Sequence, residues 1–374
     1  MRPAEIATGL IRTTIVGMAK KGRKRPVRRQ MPWRLPTHWG LFIVLLVFLT
    51  LAILHSLIVP ITQGEDELAH YRYISFIAQH GRLPVNAAER QQAWYRADWP
   101  PLYHLLVGWA VSGLDTTRPH LKDVGESPRR RLVGEIFYPR LIIYTEDANW
   151  PWQDGILAWH IGRFMSIGFA TGSLIFTYLT ALELSQVARS QDRKKQIHQP
   201  PQPLIDPPNH FPTQQTNQPT NNPTNQQPNQ PTTQLHNLPN SITSPTLLAT
   251  LTTALLAFTP RFLFSSAMLG DDSLLILLSA AFIWLLLRAW RGDDRWWGYA
   301  VMGLLLGLSI ATKYSTGLLP LAIIPVVWQR VRQAALSWRQ AAGRLAVSWF
   351  SVVVGASWWF GWIGYYFNTI AEDG

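Results

Sequence analysis

Apolar and polar residues fall into long separate blocks along the chain. The run "GLFIVLLVFLTLAILHSLIVPI" carries no charge, and about 20 such residues cross a hydrocarbon core. It predicts a first transmembrane helix over 38–62. A mostly polar stretch, 63–154, follows. Within it "DELAHYRYISFIAQH" sets Leu68, Tyr71, Ile74 and Ala78 at helical spacing, which predicts an amphipathic helix at the interface. "WPPLYHLLVGWAVSGL" is too short to cross and predicts a re-entrant or juxtamembrane helix. "GILAWHIGRFMSIGFATGSLIFTYLTALEL" is long enough and sets a second crossing at 155–187. Residues 188–244 are dominated by Pro, Gln, Asn and Thr. Too little apolar surface is present there to offset ordering, so the reading is a disordered cytoplasmic linker. From 245 to 374 apolar blocks resume, from "TLLATLTTALLAFTPRFLFSSAML" to "LAVSWFSVVVGASWWFGWIGYYF". They predict about five more helices. The fold class expected is all-α: a polytopic transmembrane bundle with an outer loop of juxtamembrane helices.

Composition agrees. Charged residues make up 15% of the 374, against about 25% in soluble domains. The net charge of +12 is uneven: the first 37 residues hold ten Lys or Arg and one Glu. Beside a spanning helix this marks a basic cytoplasmic segment, 1–37, that meets anionic membrane lipid and not nucleic acid. Its length, and the long apolar run behind it, argue for an anchor instead of a cleaved signal. With the N-terminus inside and seven crossings, Arg288, Arg291, Arg295, Arg330, Arg332, Arg339 and Arg344 fall on the cytoplasmic side. "LGDDS" and Lys313 fall outside, as positive-inside topology requires. The chain has no Cys, which excludes thiol catalysis, disulfides and thiolate metal sites.

The unusual polar residues converge at the outer level. Glu65, Asp66, Glu67 and His70 follow the first crossing directly, and Asp271, Asp272 and Lys313 occupy outer turns. His160 and Arg163 share one face of the second crossing, and Arg261 follows Pro260 in the third. Ionisable groups at membrane depth mark a functional site by default. Cations suit a phosphate, a carboxylate suits chemistry, and apolar walls suit a lipid tail. Asp66, Glu67 and His70 are also a possible ligand set for a divalent metal ion, the one cofactor the sequence suggests. Plainer roles compete. Asp66 and the Asp271–Asp272 pair can cap helices. Glu67 can face water, and Lys313 can snorkel. Arg163 can pair with Glu146 or Asp154. Tyr103 and His104 either line an acceptor cleft or sit as interfacial aromatics. The Trp-rich final block reads as an interfacial belt.

In order and topology, "DE", "AHYRYI", "GRLP", "PPLYHLL", "GRFMSIGFATGSLIFTYL", "AFTPRFLFSSAMLGDDSLLILLSAAFIWLLL" and "GLLLGLSIATKYSTGLLPLA" resemble membrane glycosyltransferases of the GT-C fold. The nearest group is the protein O-mannosyltransferase and aminoarabinose-transferase-like one (glycosyltransferase family 39-like). The resemblance implies an integral, multi-pass enzyme of the plasma (inner) membrane, active on the outer face. It would transfer a sugar from a polyprenyl-phosphate donor to a hydroxyl of a lipid, glycan or protein, with inversion. Asp66 would be the base. Glu67, His70, Tyr103, His104, Arg163, Arg261, Asp271, Asp272 and Lys313 would bind substrate, the cations stabilising the leaving phosphate. Such transferases continue into further helices, so the 245–374 bundle reads as a shortened form. Two rivals stand beside this reading. A transporter or flippase of a lipid-linked substrate would show internal repeats and broken midplane helices; a non-catalytic assembly subunit would tolerate loss of Asp66.

Overall fold

The computed structural model describes residues 38–64, 66–117, 122–123, 142–143, 149–198 and 244–372. The basic segment 1–37, Glu65, Glu146 and most of the Pro/Gln/Asn/Thr-rich segment lie outside these residues. Among them the chain is helical, apart from three short 3-10 turns and a two-residue antiparallel pair, Lys122–Asp123 with Ile142–Ile143.

Helix α1 (Trp39–Ile58) is the first crossing. Four short elements follow: α2 (Glu67–His80), α3 (Ala87–Ala93), a 3-10 turn (Tyr95–Asp98) and α4 (Leu102–Ala110). Helix α5 (Asp154–His198) is the second crossing and runs past the expected boundary at 187. The C-terminal part holds α6 (Pro245–Ala257), α7 (Pro260–Ser266), α8 (Asp272–Trp290), α9 (Trp296–Ile310), α10 (Ile323–Arg332) and α11 (Trp338–Glu372).

Four helices, Trp39–Ile58, Asp154–Gln186, Asp272–Trp290 and Trp338–Tyr366, are long and apolar enough to cross, and α6 with α7 makes a fifth span if the bent pair is counted as one. This departs from the seven expected crossings, for local reasons. Pro260 has no N–H to continue α6, and the preceding Thr259 is extended, so α6 and α7 meet at 69°. The block after α8 yields only the 15-residue α9. The one after it is interrupted around Gly317 and Pro320 into 3-10 turns and the ten-residue α10.

The bundle closes through three apolar seams. Val44, Phe48 and Ala52 of α1 meet Ile167, Ala170 and Leu174 of α5, with Ala257 and Phe262 completing the cluster. Phe282 of α8 joins Tyr299, Met302 and Leu306 of α9 and Ile323, Val326 and Val327 of α10. The third seam joins α9 to α11 with almost no side chain between them. A Cβ on Gly307 would stand 2.5 Å from the Val352 carbonyl oxygen, and one on Gly355 would stand 2.9 Å from Gly307 Cα. Small residues permit this backbone approach, as in other membrane helix pairs.

Helix α2 is not a surface helix with one dry face. Tyr71, Ile74 and Ala78 join a cluster with Tyr103, Val107 and Trp159, as the periodicity predicts. Tyr73, Phe76 and Ile77 on the other side join Leu105 and Trp359. The helix is buried on two faces. At the far end of the bundle lie ion pairs Arg330–Asp294 (2.6 Å), Arg288–Asp293 (2.7 Å) and Arg291–Glu183.

Candidate active site

The site is built on one buried ion pair. Glu67, in the first turn of α2, and Arg163, in α5, both have fully buried side chains. Arg163 Nε donates to Glu67 Oε1 at 2.6 Å and Nη2 donates to Oε2 at 2.8 Å. Nη1 donates to the carbonyls of Ser56 and Val59, and Nη2 also donates to Pro60 O at 3.1 Å. A guanidinium has five N–H donors, and all are engaged. Arg163 thereby caps carbonyls at the end of α1 that have no helical partner. Glu67 is equally committed: besides Arg163 it accepts from the backbone N–H of Thr62, Gly64 and Leu269. Its charge also suits the N-terminus of α2. Gly64 lets the loop wrap this carboxylate, because a Cβ there would lie 2.9 Å from Glu67 Cδ.

The pair corrects two expectations. Glu67 does not face water: its two oxygens are taken by five donors. Among the described residues no group of three or more His, Asp or Glu is arranged to hold a metal ion. All five N–H groups of Arg163 are engaged, and among the described residues its carboxylate partner is Glu67 and not Asp154.

Beside the pair opens a cavity of about 180 Å³. Its lining brings together Asp66, His70, Arg261, Asp271, Asp272 and Lys313. Four separate parts of the chain deliver them. Asp66 precedes α2 in the left-handed region (φ 56°), is exposed, and makes no side-chain cap bond. Arg261 comes in on α7, turned by the Pro260 bend. Asp271 and Asp272 start α8. Lys313 follows α9, its ammonium 2.6 Å from Asp272 Oδ1 and 3.6 Å from Asp271 Oδ1. The wall segment 268–270 is fixed from behind, since Leu269 N–H donates to Glu67 and Gly270 N–H donates to Tyr103 Oη at 3.2 Å.

Tyr103 and His104 do not line this cavity. Both are fully buried on the inner side of α4. The Tyr103 hydroxyl lies 2.8 Å from Ser166 Oγ, and burial pushes its phenol well above the ordinary tyrosine value, so it stays protonated. His104 Nε2 lies 2.8 Å from His70 Nδ1. His160 is away from the cavity, its ring stacked on Trp152 with centroids 3.7 Å apart. Sequence reasoning passed over Gly162 and the 268–270 wall. The nearest signal is the small residue beside Arg163: a Cβ on Gly162 would overlap Leu269 Cδ1.

Apolar spanning helices with a charged cavity where several of them end define an integral membrane protein with a polar site. Residues 242–359 match the family model described as dolichyl-phosphate-mannose-protein mannosyltransferase. The match runs from just before α6 into α11, and it supports a place among the membrane glycosyltransferases of the GT-C type. Comparison with curated proteins and with solved structures gave no match.

Proposed function

We propose that the protein transfers a sugar from a polyprenyl-phosphate donor to a hydroxyl of a lipid, glycan or protein on the non-cytoplasmic face, with inversion. The observation that carries this reading is the cavity itself: an exposed carboxylate, Asp66, shares it with two cations, Arg261 and Lys313. An acceptor hydroxyl is a weak nucleophile. As its oxygen bonds to the anomeric carbon, Asp66 takes the proton. The bond from that carbon to the phosphate oxygen breaks, and the electron pair leaves with the phosphate. Arg261 and Lys313 offset the added negative charge, and Asp272 orients the Lys313 ammonium. Holding both substrates in one cavity supplies further acceleration.

The test is sugar transfer in proteoliposomes from a panel of radiolabelled polyprenyl-phosphate sugars, with membrane extract as acceptor. Asp66→Asn keeps the side-chain shape and removes the base, so transfer is expected to fall by about 10²–10⁴-fold with the fold intact. Equal transfer by wild type and variant removes Asp66 as base. Absence of transfer by folded wild type shifts the assignment to a transporter or an assembly subunit.

A further inference from the structure

The contact between His70 and His104 has no part in the chemistry above. We infer that the two imidazoles form one proton-ordered pair: His104 donates its Nε2–H to His70 Nδ1, so that His70 presents an Nε2–H donor to the leaving phosphate. This inference rests on the proposed function and assigns two further roles to the same site: His70 as a phosphate-contacting residue and His104 as the positioning residue behind it.

The geometry sets the proton count. His70 Nδ1 and His104 Nε2 are 2.8 Å apart with ring planes 17° from parallel. Two bare nitrogens at that separation repel, and two protonated ones clash, so one proton sits between them. The opposite edge of His70 faces the cavity: a Cβ built on Gly270, in the cavity wall, would lie 3.9 Å from His70 Nε2. The neighbours there decide which ring donates. Asp66, Asp271 and Asp272 line the same cavity. Ionised carboxylates only accept hydrogen bonds, and so does a phosphate's outer oxygen. An Nε2 at the edge of a cavity lined by such groups is favoured as a donor. A neutral imidazole protonated at Nε2 has a lone pair at Nδ1, and His104 Nε2–H is the group beside it.

The surroundings hold His104 to this task. It is fully buried, with the Tyr73 ring 4.6 Å away on one side and the Tyr103 ring edge-on at 5.6 Å. The ring therefore keeps its plane when substrate arrives. When the anomeric bond breaks, the phosphate gains a negative charge. A preset N–H stabilises that charge without reorganising.

The experiment measures binding of polyprenyl monophosphate, without sugar, to the full chain in proteoliposomes. Wild type, His104→Gln and His104→Leu are compared. Glutamine reaches the same point with an amide N–H and should bind within about twofold of wild type. Leucine removes the donor, and affinity should fall about tenfold, the effect of one hydrogen bond to a charged system. In ¹⁵N-histidine spectra, His70 should hold the Nε2–H tautomer in wild type and in His104→Gln, and should lose it in His104→Leu. Wild-type affinity in the leucine variant overturns the pair, as does equal loss in both variants or no binding by wild type. If His104→Leu fails to fold, His70→Phe replaces it; undiminished binding there overturns the inference too. Sugar transfer on the same vesicles reads the proposed function separately, so transfer by wild type with unaltered affinity in the variants would leave that function standing and remove only the pair.

Discussion

At the scale of single residues, Arg163 sets the limits. Its five donors serve one carboxylate and three carbonyls in a fully buried setting. Lysine offers three donors from one point and cannot reproduce the fork. Arg163→Lys is therefore expected to cost about 1–3 kcal/mol, because a three-donor ammonium leaves some of these buried acceptors without a donor. It should appear as a lower thermal midpoint of the purified protein in detergent, and an unchanged midpoint would show the pair to be dispensable. The sequence carried part of this. A lone Arg in an apolar block and an acid just outside the membrane were both conspicuous. Their pairing was not, since the partners are distant in the chain and spacing says nothing of lateral packing. For the same reason Tyr103 and His104 read as cleft residues: nothing in "PPLYHLL" tells which way a short helix turns its aromatics.

Among the elements, the seam between α9 and α11 is the most sensitive. Gly307 and Gly355 bring two backbones together where any Cβ on either would overlap its neighbour. Gly307→Leu must push the helices apart, and overpacking of this kind costs about 1–3 kcal/mol or more. Loss of folded protein in detergent on thermal challenge is the expected result. A variant as stable as wild type would mean that the seam opens at little cost. The apolar blocks themselves were legible as helices from composition alone. What they hid was continuity. A block with a central proline has the same hydropathy whether it bends or not, so the 69° turn at Pro260 and the breaks near Gly317 and Pro320 could not be read from length. That bend matters to the site, because it is how Arg261 reaches the cavity.

For the whole molecule, the two polar ends differ in kind. One holds the cavity; the other holds Arg288, Arg291 and Arg330 paired with Glu183, Asp293 and Asp294. The positive-inside rule predicts that the second faces the cytoplasm. The chain has no native cysteine, so single introduced thiols report on sidedness directly. A membrane-impermeant maleimide should label Gln63→Cys, exposed near the cavity, in intact cells, and Arg295→Cys, exposed at the other end, only after permeabilisation. The reverse pattern would put the cavity on the cytoplasmic face and remove an outer-face transferase. The order of elements and the gathering of acids and bases at one level were readable from the sequence. The depth of α2 in the bundle was not, because it hides aromatics on two faces that a one-face periodicity test counts as one.

The packing of α5 against α6 carries a consequence for how this chain tolerates change. Tyr178 and Ala181 meet Ala249 across a seam whose two sides are separated in sequence by the Pro/Gln/Asn/Thr-rich segment. The entropic cost of joining two packed elements grows slowly with the number of residues between them, about 0.6 kcal/mol for each doubling. Stability is thus nearly indifferent to how many residues join the two helices. The two helices are held together by the seam they share, and the distance along the chain from one to the other is a quantity to which their packing is almost blind.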